Sequence, residues 1–262
     1  MVKALRGLVR FIVLVFSLLQ VMAGMWLFSL RNGGHLTILQ RAEQVQKSCK
    51  MLLRRLSIRL EVHGPPPQHG LLVSNHLSFL DILLYGAATP CIFISKIEVL
   101  GWPLFGQAGA LAGTIFIDRS RSAIGSKAMI QVEDVLREEV CVVLFAEGTS
   151  TDGSHVLPFH PSFFEPAVAS GLPITSAAVR YRRGDDFVES EVCYYGDVTF
   201  LPRLLKTLSL RRIVGRLDFS PRGIVYNNRK IAASSTRTEV VSLRDRQMEA
   251  NLDQLAYPVT TR

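Results

Sequence analysis

Hydrophobic positions along this chain fall into three regimes. From 11 to 30, twenty residues pass without a charge, and only Ser17, Gln20 and Ser29 are clearly polar. That is about the length a helix needs to cross a bilayer core, and Trp26 near its far end suits an interface. Lys3, Arg6 and Arg10 precede the run, as in a secretory leader, and Val21 and Ala23 form a weak cleavage site. The apolar run continues through Met25, Trp26, Leu27 and Phe28, so a retained anchor is expected. Past Gly33-Gly34 the pattern changes: Ile38, Ala42, Val45, Cys49, Leu52 and Leu56 recur at spacings of four and three. This predicts an amphipathic helix whose polar face carries Arg41, Glu43, Lys47, Lys50, Arg54 and Arg55. Such a helix either packs on a globular domain or lies in a membrane interface.

Gly64-Pro65-Pro66-Pro67 punctuates the chain. Residues 1–63 are accordingly expected to form the anchor and amphipathic helix, and 64–262 the globular domain. In the third regime, short apolar runs at 71–74, 91–95 and 114–117 have strand character, and 122–139 carries a helical pattern. The continuous apolar run 140–145 predicts a strand buried on both faces. Residues 173–179 and 188–195 are further strand candidates, and the polar stretch 237–255 reads as a surface helix. Strands alternating with helices predict an α/β fold, a sheet flanked by helices.

Composition sharpens this picture without redirecting it. The 262 residues are 48% hydrophobic, and 30 Lys and Arg against 22 Asp and Glu give a formal charge of +8. An anionic partner follows, either a membrane surface or a phosphorylated ligand; no nucleic-acid-binding signature accompanies the charge. Cys49, Cys91, Cys141 and Cys193 are scattered, which argues for buried thiols against a disulfide framework or a zinc site. Basic residues flank the apolar run on both sides, so the positive-inside rule gives no orientation.

Three clusters carry candidate chemistry. Asn75-His76-Leu77-Ser78-Phe79-Leu80-Asp81 follows the 71–74 strand directly, where open α/β sheets place ligands. On one helix His76 and Asp81 would stand about 140° apart. With His76 in a loop before the helix, Asp81 could accept from Nδ1–H and leave Nε2 as a general base. The bland alternative is specific: Ser78-x-x-Asp81 resembles a capping box, in which Asp81 only satisfies a helix amide. The second cluster, Gly113 to Arg119, ends a strand on Asp118-Arg119, a phosphate-binding guanidinium or a surface ion pair. In the third, the buried 140–145 strand runs into Glu147-Gly148-Thr149, where a carboxylate has no packing reason to exist. No G-x-S-x-G elbow, P-loop or H-E-x-x-H competes.

In this order and spacing the clusters resemble the glycerolipid acyltransferase family that includes 1-acylglycerol-3-phosphate acyltransferases. The family's H-x4-D block is matched by His76 and Asp81, and its Phe-Ile-x-Arg block by Phe116, Ile117 and Arg119. Its Phe-Pro-Glu-Gly-Thr-Arg block is met by Phe145, Glu147, Gly148 and Thr149, and its fourth block by Pro173 and Ile174. The resemblance covers about 71–182. Ala146 replaces the usual proline, and Ser150 stands where many members carry arginine. The resemblance implies transfer of an acyl chain from acyl-CoA or acyl carrier protein to a lysolipid hydroxyl, with no metal or other cofactor. His76 would be the base and Asp81 its partner. Arg119, Glu147, Gly148, Thr149 and Gly113 would position the acceptor, with Lys96 a further anionic contact and backbone amides near Gly148 as oxyanion donors. A bacterial subgroup that also holds lyso-ornithine lipid acyltransferases shares the 147–159 pattern, so Ser150 leaves the head group open between glycerol phosphate and ornithine. An inactive lipid- or carrier-binding module is the reading from another class. Donors of this kind imply an inner-membrane enzyme with its catalytic domain facing the cytosol, its anchor preferably held in one leaflet.

Overall fold

The computed structural model describes residues 2–118, 126–183, 186–196 and 198–256. Helices α1 (Val2–Arg31) and α2 (Ile38–Arg55) form an N-terminal hairpin, and strand β1 (Arg59–His63) follows. Next come β2 (Gly70–Ser74), α3 (Leu80–Ala88), β3 (Cys91–Lys96), a 3-10 turn at Ile97–Gly101, α4 (Phe105–Leu111) and β4 (Ile115–Ile117). Then α5 (Ser126–Arg137), β5 (Cys141–Phe145), α6 (Glu165–Ala169), β6 (Ile174–Arg183), β7 (Asp186–Phe187) and α7 (Glu189–Val192) lead to α8 (Phe200–Ser209), β8 (Val214–Phe219) and α9 (Arg229–Ala256).

The sheet order is β1-β8-β6-β2-β5-β3-β4, with β7 paired to β6. From β6 to β4 the strands are parallel; β8 is antiparallel to β6, and β1 runs parallel to β8. The sheet is therefore mixed, with helices on both faces. Alternation explains why its central strands read as unbroken apolar runs. In β5, Cys141, Val143 and Phe145 enter one buried cluster with α2, α3 and α8, while Val142 and Leu144 enter another with α5 and α9. All four cysteines are free and buried, and burial pushes the Cys49 and Cys141 thiols up to about 12.

Two expectations change, and the 63/64 boundary falls between strands of one sheet. The boundary at 63/64 divides a single packed unit: β1 pairs with β8, and Val45, Cys49, Leu52, Leu53 and Leu56 of α2 share a cluster with Leu72 and Leu84. Residues 188–195 are not a strand; Val188 and Val192, four apart, are buried at helical spacing around α7. The C-terminal helix begins at Arg229 and buries Ala232, Ala233, Val240 and Leu243, so it covers the sheet as well as facing solvent.

Helix α1 is long and apolar enough to cross a membrane, yet it is seated on the fold. Gly7 lies against α8 so closely that a Cβ would stand 2.9 Å from the Leu205 carbonyl oxygen. Arg6 donates to Ser209 O at 2.9 Å, and Arg10 to Leu210 O at 2.6 Å. These guanidiniums satisfy carbonyls at the end of α8, the negative end of its dipole. Farther along, Arg55 at the end of α2 donates to Ser17 Oγ and Gln20 Oε1.

Candidate active site

The site is assembled where parallel strands end. Ser74 of β2 and Phe145 of β5 are register partners, so the loops after them start side by side. Asn75 turns the first loop: its side chain donates to Val179 O at 3.1 Å and accepts from Val179 N at 2.9 Å, pinning the strand end to β6. His76 follows, its ring stacked on Phe145 with centroids 4.1 Å apart. Its Nδ1 lies 2.8 Å from Oδ2 of Asp81, which is fully buried in the first turn of α3.

That same Oδ2 accepts from Leu77 N at 2.7 Å and Ser78 N at 3.0 Å. Capping and imidazole contact, alternatives in the sequence, coexist on one atom. Oδ1 takes the Tyr181 hydroxyl of β6. Burial, and then the Asp81 charge, raise the Tyr181 pKa well above the ordinary phenol value, so Tyr181 stays a donor. Among the described residues His76 Nε2 has no hydrogen bond, on a side chain 22% exposed. The pair can accordingly hold one tautomer and offer Nε2 to a ligand.

Glu147 is turned inward. Its Oε1 accepts from His76 N and its Oε2 from Leu157 N, both at 2.8 Å. Burial raises its pKa, against the pull of those two amides. Both oxygens are committed to backbone, so Glu147 braces the histidine and does not reach toward an acceptor. Gly148, at φ +75°, gives its N–H to Phe145 O at 3.1 Å, which removes that amide as an oxyanion donor. Thr149 is exposed beside it, and Thr151 N donates to His76 O at 2.9 Å.

Of the other expected residues, Lys96 is exposed at the end of β3, level with Ile117 of β4. Chain description stops at Asp118 there, and Arg119 lies outside the described residues. Gly113 is not brought to the site. It precedes β4 at the opposite end of the strand, at φ +83°, where a Cβ would meet Arg41 Cδ at 3.2 Å. Its role is a turn that lets α2 pack closely.

Sequence reading missed the outer supports. Arg237 of α9 donates to Val156 O and Leu157 O, while Arg244 reaches Gly153 O. Glu189 holds Arg180 through two bonds, at 2.7 and 3.0 Å. Tyr181 could have been found as the third alternate position, after Ala177 and Val179, on one face of β6; the arginines left no such signal.

A mixed sheet carrying a histidine–aspartate pair on the carboxyl ends of its parallel strands defines an α/β enzyme whose ligand sits at those ends. A family model described as Acyltransferase matches residues 59–180. The lyso-ornithine lipid O-acyltransferase of Rhodobacter capsulatus is 35% identical over 170 residues, 63% of this chain and 61% of that protein. The 1-acyl-sn-glycerol-3-phosphate acyltransferase of Neisseria meningitidis is 33% identical over 171 residues, 64% of this chain and 67% of that protein. The crystal structure of the 1-acyl-sn-glycerophosphate acyltransferase from Thermotoga maritima shares the fold at a TM-score of 0.55 and 19% identity, covering 90% of this chain and 98% of that one. The chain belongs to the Acyltransferase family.

Proposed function

We propose that this chain is a membrane-associated lysolipid O-acyltransferase. It takes an acyl chain from a thioester of acyl carrier protein or CoA and esterifies the free hydroxyl of 1-acylglycerol-3-phosphate, giving phosphatidate for phospholipid synthesis. The observation that carries this reading is the 2.8 Å contact between His76 Nδ1 and Asp81, with Nε2 left for the acceptor. The hydroxyl oxygen attacks the thioester carbonyl as its proton passes to Nε2, and Asp81 stabilises the imidazolium. The tetrahedral intermediate then expels the thiolate, which takes the proton back from Nε2. No acyl-enzyme is needed.

Lys96 at the strand ends, with Arg119, supplies positive charge for the acceptor phosphate. Thr149 lies exposed on the loop after β5, which Glu147 and Thr151 tie to His76. A second reading, transfer to lyso-ornithine lipid, is favoured by Ser150. In place of the frequent arginine, this side chain gives its hydroxyl to the Tyr194 carbonyl. Cytosolic donors set the catalytic domain on the cytosolic face of the inner membrane, with α1 held in one leaflet.

The test is acyl transfer by purified protein in mixed micelles, with both lysolipids in competition and each donor offered separately. Phosphatidate as the main product supports the first reading. Ornithine lipid alone replaces it with the second, and no product with either donor overturns both.

A further inference from the structure

The loops that carry His76 and Glu147 are joined by a third segment outside both. Helix α7 occupies Glu189–Val192, and two residues past its end the Tyr194 peptide bonds in both directions. Its N–H donates to Leu77 O at 2.8 Å, in the loop of His76, and its carbonyl takes the Ser150 hydroxyl, in the loop after β5. Thr151 N gives a second tie, to His76 O at 2.9 Å. The spacing between the base and the residues after Glu147 accordingly depends on where α7 sits. Val188 and Val192 seat α7 in one apolar cluster with Leu77 and Tyr181. A buried charge cluster holds its first residue.

Glu189 takes two arms of the Arg180 guanidinium, Nε at 2.7 Å and Nη2 at 3.0 Å, and Arg244 Nη2 stands 3.7 Å from its Oε2. Arg244 in turn donates to Gly153 O, and Arg180 Nη1 to Arg244 O at 3.4 Å, so β6, α7, α9 and the loop after β5 meet at one point. Contact is close there: a Cβ on Gly153, at φ +82°, would stand 2.9 Å from Glu189 Oε2 and 3.3 Å from Leu77 Cδ2. All three charged residues are buried, and the two cations share the one carboxylate of Glu189. Burial and then the Arg180 charge lower the Arg244 pKa, and among the described residues its Nε has no partner. Stability is a poor account of such a cluster, since apolar side chains of similar volume are often as stable or more so. What charged hydrogen bonds supply and apolar packing does not is direction.

We propose that Glu189, Arg180 and Arg244 are positioning residues for acyl transfer: they fix α7 so that the Tyr194 peptide and Gly153 hold the loop after β5 in register with the loop of His76. They act through the backbone and not on the reacting atoms. The loop after β5 brings Thr149 and Ser150 to the acceptor in the reaction proposed above. A slack cluster leaves the acceptor hydroxyl out of line with His76 Nε2, which slows the chemical step more than it weakens binding. A displacement of about 1 Å can cost about a hundredfold. The inference rests on the lysolipid acyltransferase reading and adds residues of β6, α7 and α9 to its machinery.

Steady-state acyl transfer and thermal unfolding of full-length variants in mixed micelles test it. Glu189→Gln should lower kcat by about tenfold to a hundredfold, with KM within about threefold of the parent. Arg244→Gln should behave alike, and Arg244→Lys, which keeps the charge and a donor for Gly153 O, should recover part of the loss. Glu189→Gln leaves two buried cations facing each other, so a second variant removes all the charges together: Arg180→Met, Glu189→Leu and Arg244→Met. This combination should unfold at a midpoint near that of the parent and still show the low kcat. A parental kcat in folded Glu189→Gln or in the folded combination overturns the proposal, as does a loss confined to KM. Failure of every variant to fold also overturns it, by making the cluster a support of the fold alone. Absent transfer by the unaltered protein counts instead against the catalytic reading, and the cluster then has no reaction to serve.

Discussion

Oδ2 of Asp81 serves three groups at once, the imidazole and two backbone amides, and its replacement separates those duties. Asp81→Asn keeps a carbonyl for the amides but removes the charge that steadies an imidazolium. Steady-state assays should show kcat lower by about a hundredfold to ten-thousandfold, with KM little changed. A loss of only a few-fold would end the orienting role. His76→Ala should reduce transfer to background with its thermal unfolding close to that of the parent. Glu147 gives a pH signature. Its folded pKa is raised, so the folded state holds this proton more tightly than the unfolded chain does. Stability contributed by the group is therefore largest below the ordinary carboxylate range and falls as pH rises through the raised value. Urea unfolding of the parent and Glu147→Gln across that window should show their difference shifting against the parent as pH rises; a pH-independent difference contradicts the sign. The residues alone left His76 and Asp81 open, since Ser78-x-x-Asp81 reads equally as a capping box; the ordered blocks of the family resemblance singled the pair out. The direction of Glu147 was not legible, since a carboxylate that braces backbone and one that meets a ligand have the same sequence.

Helix α9 shows how much of a site an element can hold from outside the recognised motifs. Arg237 fixes the carbonyls of Val156 and Leu157, and the Leu157 amide is the one that Glu147 Oε2 accepts. Arg237→Ala should lower kcat by about tenfold with KM nearly constant, and Arg237→Lys should recover part of the loss. A change confined to KM would place Arg237 at the acceptor instead. From sequence this helix looked like polar surface, because an arginine that feeds loop carbonyls has the same neighbours in the chain as a solvated one. Residues 188–195 misled for the opposite reason. Their apolar positions fit a strand, while the buried Arg180–Glu189 pair that anchors the α7 turn is visible only in three dimensions. Strands β1 and β8, at one end of the sheet, are short and half polar, and their pairing with each other is a long-range fact.

Across the whole molecule, the α/β class and the buried central strands followed from alternation and unbroken apolar runs. The Gly-Pro cluster at 64–67 directly follows β1, which pairs with β8, and such a cluster marks a turn equally well inside a sheet as between domains. The seat of α1 is open to test. Arg6→Ala with Arg10→Ala removes charged donors from the end of α8 and should lower the unfolding temperature by several degrees, at about 1 kcal/mol per cap. An unchanged midpoint would mean that α1 is not held there.

The contact from Arg6 to Ser209 spans 203 residues. During synthesis at about 5–20 residues per second, α1 therefore leaves the ribosome roughly 10–40 s before the surface that receives it exists. Throughout that interval α2 can reach it, through Arg55 on Ser17 and Gln20, but the face that α8 will cover stays bare. Any membrane or chaperone nearby competes with α8 for it. The resting place of α1 is thus decided partly by timing, and slowing translation between its emergence and that of α8 shifts the outcome without altering a single contact of the finished fold.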